Sequence, residues 1–411
     1  MNYFSKISSE KNYPVWTLFN FVVLAFAGAL LRYMHCFSLK GVNYQFLLHS
    51  HSHFAFAGWM FLAIILLFYN YFKKENSGLA KYFRPLFGTA LLVSFGMLVS
   101  FFLTGYKTAS IVLSTLFIFI GYGFVWLIFK SRIFEKTNSP ANILLKGALF
   151  FLVLSSFGPF ALGYFGATGL KDSELQQNAI YFYLHFQLNG FMQLALLGFL
   201  FKTYLKADVN VGKSTTFWAK MLVFSTLPLY AMFTLWIKPP TWVYVVAFFS
   251  ALLHFVAWLM LVFRLKADLS PFSFLAKTAV LAVSLQFFFQ ILIAFPPIGN
   301  WAFANHNLII GYIHLLTLGS LSPLIIDFFA KAGYLKPSVR LNGLFVTDSV
   351  IYLVLLFGSA FLTLFQIYIP NLEVLLFATN LAMPVLGIAY FLNSLKSKQE
   401  LHQSIYKLYN I

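Results

Sequence analysis

Apolar stretches of about 20 residues recur from one end of the chain to the other, separated by short segments that hold most of the charges. About 20 apolar residues in an α-helix cross the ~30 Å hydrocarbon core of a bilayer. Twelve such stretches stand out, at 15–35, 47–72, 85–105, 109–130, 143–166, 178–201, 217–237, 241–263, 274–295, 304–328, 344–367 and 372–394. The pattern predicts an all-α integral membrane protein, a single bundle of about twelve transmembrane helices over residues 15–394. A cytoplasmic segment at 1–14 precedes it and a cytoplasmic tail at 395–411 follows. The first stretch lies behind Lys6 and Lys11 and lacks a small-residue cleavage site, so it reads as a retained helix rather than a signal peptide.

Composition agrees with this picture: 60% of residues are hydrophobic and 9% charged, where soluble domains carry about a quarter. The formal charge of +17 is distributed by side. Lys73, Lys74, Lys81 and Arg84 follow the second span; Lys130, Arg132, Lys136 and Lys146 the fourth; Lys202, Lys206, Lys213 and Lys220 the sixth. Arg264, Lys266 and Lys277 follow the eighth, Lys331, Lys336 and Arg340 the tenth, and Lys396, Lys398 and Lys407 lie in the tail. The opposite loops hold only Arg32, Lys40, Lys107, Lys171 and Lys238. The positive-inside rule then puts both termini in the cytoplasm, as in a multi-pass protein of a bacterial inner membrane. The charge is topological, with anionic membrane lipids as its partner, and no nucleic acid is expected. Cys36 is the only cysteine, which excludes an internal disulfide and any CxxC or CxxCH chemistry.

The histidines carry the candidate chemistry. His49, His51 and His53 open the second span, His185 lies about two turns into the sixth, and His306 and His314 begin the tenth. In the predicted orientation all six fall in the outer half of the membrane, where imidazole is costly to bury unless something binds it. Spans far apart in sequence thus bring imidazoles to one depth, as a site between helices requires. A haem takes imidazoles on either side of its ring, and a copper or other metal takes several at about 2 Å. Helical geometry limits the sets: His49 and His53 share a face, His51 points roughly the other way, and His306 and His314 lie ~12 Å apart along the axis. His254, in mid-span, reads as a helix-to-helix hydrogen bond; His35 and His402 read as solvated, and Arg32 as an interfacial side chain. No Asp or Glu is expected in a span interior, which argues against an ion-coupled transporter. Buried polarity comes instead from Gln187, Asn189, Gln193, Gln286 and Gln290.

With twelve spans, a histidine at the start of the second, one in the sixth and two in the tenth, the chain resembles the haem-copper oxidase subunit I superfamily. Within it the likeness runs to the NnrS family. "HSHFAFAG" (His51, His53, Gly58) is similar to that family's H-x-H-x-x-x-x-G, and "HLLTLGSL" (His314, Thr317, Gly319) to its H-x-L-T-x-G. The resemblance implies a haem-containing membrane protein, with copper as a second candidate cofactor, linked to respiration or nitric oxide. It implies His53 and His314 as haem ligands and His185, by position, as a copper ligand; His51 and His306 complete the cofactor candidates and His49 the metal candidates. An electron-donor protein on the outer side and a diatomic gas are the implied partners. The chain departs from the oxidases in reading "HFQLN" for H-P-E-x-Y, "WIKPPTWVY" for the adjacent histidines after the seventh span, and a wide spacing for H-x-H in the tenth. The full oxygen-reducing centre and proton pumping are therefore not expected. The competing expectations are a twelve-helix transporter or channel for a metal ion or small neutral solute, and a structural membrane subunit.

Overall fold

The structure is a computed structural model that describes residues 12–73, 77–134, 139–171, 173–206, 212–266 and 270–409. Lys6, Lys11, Lys74, Lys136 and Asp172 lie outside the described residues, as does most of the expected N-terminal segment. Among the described residues the regular elements are helices, and twelve are long and apolar enough to cross a membrane. They are α1 (Asn12–Cys36), α2 (Tyr44–Phe72), α3 (Leu79–Thr104), α4 (Thr108–Lys130), α5 (Pro140–Ala167) and α6 (Glu174–Tyr204). Then come α7 (Lys213–Ile237), α8 (Thr241–Leu265), α9 (Phe274–Ile293), α10 (His306–Lys331), α11 (Val339–Thr363) and α12 (Leu372–Gln399). A short helix, Pro296–Ala304, occupies the uncharged loop before α10. Large apolar side chains such as Leu92, Phe249 and Val354 are exposed along the spans, and in a bilayer they contact lipid.

Local chemistry sets the helix starts. A side-chain oxygen just ahead of the first turn accepts a main-chain N–H the helix cannot otherwise satisfy. Asn43 does this for Phe46 at α2, Ser139 for Asn142 at α5, and Ser173 for Gln176 at α6. Ser273 serves α9, Asn305 α10 and Ser338 α11. Pro140 adds its pre-set φ at the first position of α5. In α7, Pro228 has no N–H to give, and the chain tightens into a 3₁₀ segment from Pro228 to Ile237.

Contacts divide the chain into two compact units. The first runs to Ser131 and resumes at Ile325; in it α12 packs on α1, α2 on α1 and α3, α3 on α4, and α11 on α12. The second runs from Arg132 to Leu324; in it α5 packs on α6 and α7, α7 on α8, α8 on α9, and α9 on α10. The spans are not equally interior. The apolar windows of α6, α2 and α10 are 94%, 78% and 61% buried, and no other span exceeds 56%. These three are the helices that carry the clustered histidines.

Candidate functional site

Each of the three interior helices also leaves the α-helical repeat at one place. Wide π-helical turns occupy Ala55–Phe61 in α2, His185–Met192 in α6 and Leu315–Leu321 in α10. Such turns step from residue i to i+5 and gather at functional sites. The sequence carries the same step three times: His53 and Gly58, His185 and Gly190, His314 and Gly319 are each five residues apart, as HFAFAG, HFQLNG and HLLTLG. One copy falls in the second of each successive four spans. This repeat is visible in the sequence only once the turns mark where to look, because the three copies share just two letters. The glycines permit close packing. A Cβ on Gly58 would sit 2.6 Å from the Phe54 ring, and one on Gly190 2.6 Å from Cβ of Phe151 on α5. The wide turn also redirects backbone donors. The N–H of Leu62 turns to Trp59, and Asn20 Nδ2 on α1 donates to the Gly58 carbonyl at 2.7 Å in its place.

In the first unit the three histidines of α2 divide as the helical geometry requires. His49 and His53 face α3 and the loop after it. The His53 ring stacks on Phe101 with centroids 4.1 Å apart, and its Nε2 lies 2.8 Å from the Tyr106 hydroxyl. His49 meets the Tyr106 ring edge-on at 4.7 Å. Tyr106 is more than half exposed, but its hydroxyl end is enclosed beside the imidazole, and burial pushes the phenol up to about 12. It therefore stays protonated, and the bond to Nε2 joins a neutral phenol to the His53 ring.

His51 turns the other way, towards α1 and α12. Its Cε1 lies 3.1 Å from where a Cβ on Gly28 would stand, and Asn380 Oδ1 lies 3.8 Å from that point. Nearby, Arg32 is 94% buried rather than interfacial: it is 6% exposed and donates Nε–H to the Tyr352 hydroxyl at 2.8 Å. Glu373 stands 3.6 Å from its Nη1. His35 is bonded to Tyr44 at 2.9 Å.

In the second unit His185 is fully buried and both its nitrogens are engaged. Nε2–H donates to the Thr226 carbonyl at 2.8 Å, and Nδ1 accepts from Asn189 Nδ2 at 3.4 Å. The Thr226 carbonyl is open because Pro228 tightens α7: Tyr230, its α-helical donor, bonds to Leu227 instead. Nε2 holds its proton against a carbonyl and offers no lone pair there, so only Nδ1, facing Asn189, carries one. Asn189 is also the hub of a neutral network. Gln286 Nε2 donates to its Oδ1 at 2.7 Å, Gln193 donates to Gln286 Oε1 at 2.8 Å, and Gln290 donates to the Tyr312 hydroxyl at 2.8 Å. His254 bonds to Ser225 of α7 at 2.8 Å, the helix-to-helix bond expected of it.

The tenth span behaves differently. His306 lies exposed at the start of α10. His314, half-buried at the edge of its wide turn, donates Nδ1–H to the Ile310 carbonyl at 2.8 Å. That bond fixes the tautomer and leaves Nε2 as the nitrogen that bears the lone pair. It is the support commonly found behind a metal-ligating imidazole.

Among the described residues, no three His, Cys, Asp or Glu side chains stand together in a way that could hold a metal ion. The metal candidates His49, His53, His185 and His314 accordingly do not appear as one such group among the described residues. A haem makes a smaller demand, one imidazole for each open side of its iron. The chain matches no protein-family model and no curated protein. Fold and site define it as a polytopic α-helical membrane protein with imidazoles on its most interior helices.

Proposed function

We propose that the chain is a haem-binding membrane protein that handles electrons or a diatomic gas, linked to respiration or nitric oxide. The observation that carries this reading is His314: an imidazole on an interior helix, locked at Nδ1 to a backbone carbonyl, with Nε2 as the accepting nitrogen. In the first unit His51 takes the ligand role in preference to His53. His51 faces α1 and α12, whereas His53 is stacked on Phe101 and bonded to Tyr106. Bound haem would supply one-electron or gas-ligand chemistry; an imidazole of the chain would hold the iron, and Phe-rich helices would exclude water and admit an apolar gas. Electrons would come from another protein, on the outer side of a bacterial inner membrane with both termini cytoplasmic.

The test is a visible spectrum of the detergent-purified protein. A Soret band that shifts on reduction is expected. It should weaken in His314→Ala and His51→Ala and persist in His254→Ala. A protein that remains colourless after haem supplementation overturns the reading.

One observation favours a second reading, a transporter or channel for a small neutral solute. The carboxamides around Asn189 are uncharged and deeply buried, and Gln193 Oε1 and Gln290 Oε1 have no partner among the described residues. Uptake of such a solute into proteoliposomes by the haem-free protein would favour it.

A further inference from the structure

The pair on the other face of α2 has no part in the haem reading, yet it has the makings of a site. His49 and His53 are four residues apart, which puts two imidazoles on one face of a single turn, the arrangement by which helices chelate zinc. Both rings border one phenol: Tyr106 lies edge-on to His49 at 4.7 Å and bonds to His53 Nε2 at 2.8 Å. The loop that presents Tyr106 is built rather than slack. Gly105 adopts φ +64°, and a Cβ there would strike the Phe46 ring at 2.4 Å, so only glycine fits beneath α2. Ser110 ties the loop from below, donating to the Gly105 carbonyl at 2.7 Å and accepting from the Lys107 N–H at 3.0 Å. Phe101 backs the His53 ring and holds its plane.

We propose that His49 and His53, with Tyr106 as the third side chain, form a binding site for a divalent transition-metal ion of zinc's class. Imidazole suits such ions, and two neutral rings bind one without a buried carboxylate. In the structure the Tyr106 hydroxyl is hydrogen-bonded to the His53 Nε2 that the ion would take. Binding replaces that hydrogen bond with a metal–Nε2 bond, and the phenol, its proton released to water as it joins the ion, clips the loop between α3 and α4 onto α2. Tyr106 is more than half exposed, so the phenol can yield without opening the core. The site uses neither His51 nor His314 and stands or falls apart from the haem reading.

Zinc chloride titrated calorimetrically into the chelator-stripped full chain should show one saturable site. His49→Ala and His53→Ala should each weaken it at least about tenfold, a loss of about 1.4 kcal/mol. His306→Ala, which removes an exposed histidine elsewhere, should leave it unchanged. Because a variant can fail to fold, the wild-type protein supplies a second reading. Zinc should shield His49 and His53 together from carbethoxylation, read by peptide mass spectrometry. No saturable zinc binding, binding undiminished in both folded variants, or both histidines equally reactive with and without zinc would overturn the proposal.

Discussion

His185→Ala separates a structural histidine from a ligand. The ring is completely buried, and its Nε2–H is the donor to a Thr226 carbonyl whose own helical donor has turned to Leu227. Removing the imidazole orphans that carbonyl in a dry interior, at about 1–3 kcal/mol. Hydrogen bonds inside membrane proteins average nearer ~0.6 kcal/mol, which favours the low end of that range. The lost acceptor for Asn189, at 3.4 Å, is long and adds little. The vacated space adds a cavity cost of the kind that makes large-to-alanine changes worth about 2–5 kcal/mol. A total of about 3 kcal/mol follows. His185→Gln keeps an N–H donor near Thr226 and fills part of the space, so it should recover about half of that. The assay is the thermal midpoint in detergent, followed by fluorescence-detected size exclusion, with the visible spectrum recorded on the same samples. A lower midpoint with an unchanged spectrum per folded molecule is expected. An unchanged midpoint with the spectrum abolished would refute the structural assignment and return His185 to the ligand set.

Further outcomes follow from other contacts. Gly190→Val should destabilise by about 1–3 kcal/mol or prevent folding, because its side chain would begin 2.6 Å from Cβ of Phe151; a variant as stable as the wild type would show that α5 and α6 do not approach so closely. A double-mutant cycle of Arg32→Met with Glu373→Gln should give a coupling of at most about 1 kcal/mol, since the Glu373 side chain as a whole is 42% exposed and the charged atoms stand 3.6 Å apart. A coupling several times larger would mean a tighter pair than the structure shows. Asn20→Ala should cost about 1 kcal/mol or more through the undonated Gly58 carbonyl, checked by the same thermal midpoint; no change would mean that Ala63 or water serves that carbonyl instead.

Much of the fold was legible in the residues because bilayer thickness is a strong and simple constraint. The twelve spans were placed to within about six residues, and the largest shifts, at the starts of α3 and α11 and the end of α12, come where a helix extends beyond its apolar window. The division of the α2 histidines was also legible, because 3.6 residues per turn puts His49 and His53 on one face and His51 on another whatever surrounds them. The burial of Arg32 was not. Its partner Tyr352 is 320 positions away in the chain, and nothing near Arg32 marks that contact.

What the sequence alone determined is therefore the length, number and class of the helices and which of them carry the imidazoles, all properties of one helix in one slab of hydrocarbon. Tertiary structure decided which nitrogen of each imidazole is already spent. His185 donates Nε2–H to a carbonyl released by a proline on α7, His53 bonds to a phenol in the α3–α4 loop, and His314 donates Nδ1–H to a carbonyl of its own helix. A lone pair's availability depends on the neighbour that reaches it first, and such neighbours are brought near by packing rather than by adjacency in the chain.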